Sequence, residues 1–138
     1  MRNPWNILKM PKYNRDKTEC LEIGYFENWK GEIQIEPFKS TTKKVPSVLP
    51  KEITSLVKAF KNNENESIDG IQYWNTSNVR NMSGMFYQAK NFNQQVGKWN
   101  TSNVTDMSYM FCEATNFNQN ISFWNTLNVQ DMTKMFFR

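Results

Sequence analysis

Apolar and polar positions in the second half of the chain follow one pattern that repeats every 25 residues. The segment that starts at Trp99 reads WNTSNVTDMSYMFCEATNFNQNISF, and nearly the same wording starts at Trp74 and again at Trp124. A unit of this length is too short to bury its own apolar face, so neighbouring units must stack to form a shared core. The pattern therefore predicts a tandem-repeat architecture.

Each unit contains two kinds of periodicity. Its first part has apolar residues at the spacing of one helical face; in the middle unit they are Val104, Met107, Met110, Phe111 and Ala114. Asn103 and Asp106 resemble a capping box in front of that face. The stretch FNQNISFW that follows is short and predicts a strand. Because two helices per unit would need about 34 residues, we predict one short helix and one short parallel strand per unit.

The first 50 residues have a different pattern. Leu21 and Ile23 alternate with polar residues, as do Ile33 and Ile35, and a Gly-containing loop lies between the two runs. This alternation predicts a β-hairpin at about 20–38, and the prolines that follow it favour an extended connector. The predicted organisation is an N-terminal lead at 1–50 and a repeat region at 51–138, with a degenerate unit at 51–73, complete units at 74–98 and 99–123, and a partial unit at 124–138.

Composition and charge narrow the function classes. The formal net charge is +4, and the densest basic run is only Lys43-Lys44, so we expect no nucleic-acid binding. No segment approaches the ~20 apolar residues of a membrane-spanning helix. The chain has no histidine, and its five glycines form no phosphate-binding loop, so we expect neither an enzyme nor a cofactor or metal. Cys20 and Cys112 are interpreted as free thiols, with a disulfide as the alternative.

The repeat wording W-N-T-S-N-V-x-D-M-S-x-M-F-x-x-A-x-x-F-N-Q resembles that of the BspA-like leucine-rich-repeat surface proteins, in the mycoplasma-type branch with 25-residue repeats. The resemblance covers residues 71–138 closely and 45–70 more weakly. It implies a leucine-rich-repeat-like fold, so the predicted fold class is an α/β repeat solenoid preceded by a β-hairpin lead. It also implies a surface protein, often a lipoprotein, with a role in adhesion and without catalytic activity.

Two sets of positions receive roles from the comparison of units with each other. Residues that recur in every unit are interpreted as core rows: Trp74, Trp99, Trp124, Met82, Met107, Met132, Phe86, Phe111 and Phe136. Positions that differ between units are candidates for partner binding: Arg80, Lys98, Tyr109, Phe123, Gln130 and Lys134. Aromatic and thioether side chains at helical spacing are typical of core packing rather than of a ligand or metal site.

The leading hypothesis is a non-catalytic repeat module that binds a protein or an extracellular-matrix partner at a bacterial cell surface. One alternative is an intracellular or vestigial repeat protein that self-associates through its C-terminal end. Another is a carbohydrate-binding module that uses exposed aromatic rings. Residues 1–20 lack the apolar segment of a secretory signal, so the cytoplasm stays open as the alternative to a surface or secreted location.

Overall fold

A computed structural model describes residues 6–138, whose regular secondary structure is almost entirely β, with every strand before the repeats. The elements are β1 (Ile7–Lys9), β2 (Lys12–Tyr13), β3 (Cys20–Glu22), β4 (Tyr25–Glu27), β5 (Ile33–Ile35) and one short 3-10 helix (Ile71–Tyr73). Strands β1, β4 and β5 form one antiparallel sheet in that order, and β2 pairs with β3 in a second. The strands are two or three residues long, so most of the chain is held by turns and isolated bridges.

The hairpin consists of β4 and β5, with Tyr25 opposite Ile35. Its loop is closed by Asn28, whose Oδ1 accepts hydrogen bonds of 3.0 Å from the backbone N–H groups of Lys30 and Glu32. The segment Cys20–Glu22, which the sequence placed in the same hairpin, pairs instead with β2. The hairpin is therefore shorter than its apolar alternation indicates.

The prediction of an α/β repeat solenoid is wrong, because residues 6–138 contain no α-helix and no continuous parallel sheet. The segment after Val104 is a run of turns. The Met110 N–H donates to the Met107 carbonyl at 3.3 Å, which is the bond of a four-residue β-turn rather than an α-helical bond. Tyr109 (φ 58°) and Glu113 (φ 60°) adopt the left-handed conformation, which an α-helix excludes.

Other backbone N–H groups of this run, at alternate positions, bond to the following unit. Those of Met107, Tyr109 and Phe111 donate to carbonyls of residues 131, 133 and 135 at 2.8–2.9 Å. The physical reason for the wrong helix prediction is that successive β-turns also return every third or fourth side chain to one face. The apolar spacing therefore identifies the buried side chains correctly and does not identify the backbone.

The predicted parallel strand around FNQNISFW is also absent. Parallel contacts between units occur as isolated bridges at another position, and they connect Gln34, Ser55, Asn81, Asp106 and Asp131 in sequence. Asp106, interpreted from the sequence as part of a helix cap, lies in this series. Its carboxylate accepts hydrogen bonds from the N–H (2.8 Å) and hydroxyl (2.6 Å) of Ser108, so it closes a turn.

One aromatic row runs through the core from the lead to the last unit. We call it the phenylalanine row, and its members are Phe38, Phe60, Phe86, Phe111 and Phe136. Successive ring centroids are 4.7–5.6 Å apart, and neighbouring ring planes differ by at most 11°. The indole N–H of Trp99 donates to the Ile71 carbonyl at 3.0 Å, so the polar atom of this buried ring is satisfied.

The interpretation of two core-row residues does not hold at the last unit. Trp74, Trp99, Trp124, Met82, Met107, Phe86 and Phe111 are all buried. Met132 and Phe136 are 47% and 48% exposed, because residues 124–138 contact a repeat unit on one side only.

Candidate functional site

The residue that precedes each core tryptophan is exposed. These residues are Tyr73, Lys98 and Phe123, and they occupy the same position in three successive units. Each tryptophan ring is buried with its N–H bonded to the backbone carbonyl 28 residues earlier in the chain, so the neighbouring side chain projects outward. The exposed fractions of Tyr73 and Phe123 are 70% and 87%, the largest among the tyrosines and phenylalanines of the part of the chain that the structure describes.

These three side chains border a cleft of about 490 Å³, which we call the amide cleft. Its other lining residues are Gln72, Gln95, Val96, Gly97, Trp99, Gln119 and Asn120. A volume of this size lies within the range of small-molecule sites, which is about 300–1,000 Å³. The cleft therefore has room for a ligand of one or two rings.

Several amides of the cleft are held in place by hydrogen bonds. Gln119 Nε2 donates to the Asn93 carbonyl and to Asn93 Oδ1, both at 3.1 Å. Asn120 Oδ1 accepts the Ser122 N–H at 2.9 Å. The side-chain oxygen of Gln119 and the side-chain amino group of Asn120 keep free hydrogen-bonding capacity. Both groups are already oriented by the bonds that the other atom of the same amide makes.

The electrostatic character of the cleft is set by one cation. Lys98 is exposed, and it forms no ion pair with any residue in 6–138. The lining residues include no carboxylate. Gln95, which also lines the cleft, makes no side-chain hydrogen bond within the described chain. The cleft thus combines two exposed aromatic rings, unengaged amide groups and one unpaired positive charge.

The four other predicted partner-binding residues do not line this cleft. Arg80, Gln130 and Lys134 are exposed elsewhere, and Tyr109 is 37% exposed with its ring centroid 6.4 Å from that of Tyr87. The structure therefore brings together Lys98 and Phe123 from the predicted set. It adds Tyr73, which sequence reasoning missed because this residue lies in the degenerate unit; its place directly before a tryptophan is the signal that finds it.

Groups with reactive chemistry lie outside the cleft. Cys20 and Cys112 are buried and unpaired, and burial raises the pKa of the Cys20 thiol to about 11. Within residues 6–138, no three His, Cys, Asp or Glu side chains are placed so that they could hold a metal ion. No helix in this range is long and apolar enough to span a membrane.

The chain is a repeat protein whose units border a cleft on the surface. Its family is shown by comparison of sequences. The chain belongs to the family described as Mycoplasma protein of unknown function, DUF285, whose model matches residues 54–138. The match begins near the predicted start of the repeat region. No curated protein and no solved structure matches the chain.

Proposed function

We propose that the protein is a non-catalytic module that binds a protein or extracellular-matrix partner at a bacterial cell surface. The observation that carries the proposal is the contrast between neighbouring positions in the repeat. Tyr73, Lys98 and Phe123 are exposed and differ from unit to unit, whereas the next residue in each unit is a buried tryptophan. A position that faces solvent can change for recognition while the core rows stay the same.

The surface location is supported by the sequence resemblance of the 25-residue repeats to those of BspA-like surface proteins. The test is protease treatment of intact source cells, followed by detection of released peptides from residues 51–138. Release in parallel with a known surface protein, without release of a cytosolic marker, is the expected result. Complete protection, with the intact protein recovered in the cytosol, would overturn the surface location.

A second candidate function is self-association through the last unit. Leu127 and Phe137 are 89% and 52% exposed in that unit. Large exposed apolar side chains are often part of a protein interface. Sedimentation equilibrium should then show a dimer that Leu127→Glu dissociates. Val48→Glu is the control, because Val48 is 75% exposed in the connector; a monomer at high concentration would exclude this candidate.

A further inference from the structure

Two exposed rings give the amide cleft an aromatic wall on each side of a lysine. Tyr73 and Phe123 are two units apart, which corresponds to about 10 Å at the spacing of hydrogen-bonded strands. Exposed aromatic rings forgo the free energy of burial, and large exposed apolar groups that border a cleft are typical of binding sites. The C–H face of a pyranose ring packs well against such a ring, because the face of an aromatic system is electron-rich.

The amides between these rings suit a ligand that is rich in hydroxyl groups. A sugar hydroxyl both donates and accepts hydrogen bonds, and so does a carboxamide, through its NH₂ and its carbonyl oxygen. Gln119 and Asn120 are fixed by bonds to Asn93 and Ser122, so their free atoms lose little side-chain entropy on binding. Gln95 adds a carboxamide whose donor and acceptor are both free of partners in the described chain.

The charge of the cleft selects among sugars. Lys98 lies between Tyr73 and Phe123 in the repeat register, and no carboxylate of the lining neutralises it. A single ammonium group matches a single carboxylate, whereas phosphate sites usually gather arginines or the backbone N–H groups of a helix N-terminus. A carboxylate at this place would form a charge-assisted hydrogen bond with Lys98 Nζ.

From these observations we infer that the amide cleft binds a glycan that contains a hexuronic acid. One pyranose ring packs on Phe123 or Tyr73, the carboxylate pairs with Lys98, and the hydroxyl groups bond to Gln95, Gln119 and Asn120. The inference rests on the proposed function, since it specifies the ligand of the binding module. An acidic segment of a protein partner is the competing occupant, and the test below separates the two.

The experiment is isothermal titration of the full chain with two tetrasaccharides. One alternates glucuronic acid with N-acetylglucosamine, and the other contains N-acetylglucosamine alone and is therefore neutral. We expect the acidic tetrasaccharide to bind more tightly than the neutral one and to lose affinity as salt rises. Lys98→Gln should weaken binding of the acidic probe about tenfold, as expected for loss of a charge-assisted hydrogen bond. The same substitution should leave binding of the neutral probe unchanged.

The aromatic wall is tested with Phe123→Ala, which should weaken binding of both tetrasaccharides. Since Phe123 is 87% exposed, the unfolding midpoint of this variant should equal that of wild type. Matched controls come from the hairpin loop, where Trp29 is 74% exposed and Lys30 Nζ lies 5.4 Å from its ring centroid. Trp29→Ala and Lys30→Gln remove the same kinds of side chain outside the cleft and should leave both affinities unchanged.

Three results would overturn the inference. They are the absence of binding at millimolar sugar, equal affinities of wild type and Lys98→Gln for the acidic probe, and binding of a poly-glutamate peptide in place of the sugars. The last result would retain a binding module with a protein ligand, so it would leave the proposed function intact. Failure of the proposed function is read from the protease experiment on cells, which does not depend on the ligand.

Discussion

The lead and the repeat units are held together by different interactions. In the lead, short antiparallel strands are joined by ion pairs, and both Lys9 and Lys12 lie 2.9 Å from the carboxylate of Glu22. The ion pairs among the described residues all lie within residues 9–44. In residues 54–138, neighbouring units are joined instead by buried apolar rows and by backbone hydrogen bonds.

The two regions nevertheless share one core. Phe38, in the lead, stacks on Phe60 with ring centroids 4.7 Å apart, and the Ile35 N–H donates to the Ser55 carbonyl at 2.9 Å. The lead therefore supplies the first layer on which the repeats pack. Contacts between repeat units follow from the repeated sequence itself. The lead has no equivalent unit before it, and it is held by its own short strands and ion pairs.

The largest predicted effect breaks the shared core. Phe86 is fully buried and stacks on Phe60 and Phe111, so Phe86→Ala should lower the free energy of unfolding by about 3–5 kcal/mol. The matched variant Phe136→Ala, at a ring that is 48% exposed in the same row, should cost about 1 kcal/mol. Urea unfolding followed by tryptophan fluorescence measures both. Equal losses would show that burial does not decide how much each ring of the phenylalanine row contributes to stability.

The sequence predicted the buried side chains of the repeats far better than their backbone. Val104, Met107 and Met110 are fully buried, as their spacing indicates, yet turns replace the helix. The left-handed conformation of Tyr109 has no signal in its own residue type. Gly84 (φ 61°), at the same position one unit earlier, is the clue, because a glycine in one unit marks a position that needs positive φ in all of them.

Part of the amide cleft could be predicted by comparing the repeat units with each other. Lys98 and Phe123 stand out because complete units differ there. Tyr73 lies 25 residues before Lys98, but it belongs to the degenerate unit, whose other residues differ from those of the complete units and hide the alignment. The hydrogen bonds that orient Gln119 depend on the approach of two units, whereas the bond that orients Asn120 is a local turn with Ser122. No spacing within a single unit encodes that approach.

A second prediction concerns how closely two repeat units approach each other. A Cβ atom added to Gly97 would lie 2.4 Å from the Asn120 carbonyl oxygen, so the backbone must shift. Gly97→Ala should therefore lower the free energy of unfolding by about 1–3 kcal/mol. Ser122→Ala, at the equivalent position of the next unit, is exposed and should change it by less than about 0.5 kcal/mol. Urea midpoints of the two variants make the comparison; an unchanged midpoint for Gly97→Ala would mean that the units can separate there at little cost.

The smallest predicted effect concerns the ion pairs of Glu22, which lie in the lead. Hydrogen bonds and ion pairs with Lys12 and Lys9 lower the pKa of Glu22 from 4.5 to about 2. A carboxylate whose pKa is lower in the folded state stabilises the fold above pH 4.5, and it loses that contribution as the pH falls towards 2. The pairs are solvent-exposed, so the effect on the melting temperature should be small.

Melting temperatures of wild type and Glu22→Gln, measured between pH 7 and pH 2 at low salt, test this expectation. Wild type should melt at the higher temperature near neutral pH, and the two curves should converge as Glu22 becomes protonated. Glu27→Gln is the control, because Glu27 is exposed on β4 and forms no ion pair within residues 6–138. A difference in melting temperature that stays constant over this pH range would assign the effect of Glu22→Gln to packing. The ion pairs of the lead would then make no measurable contribution to stability.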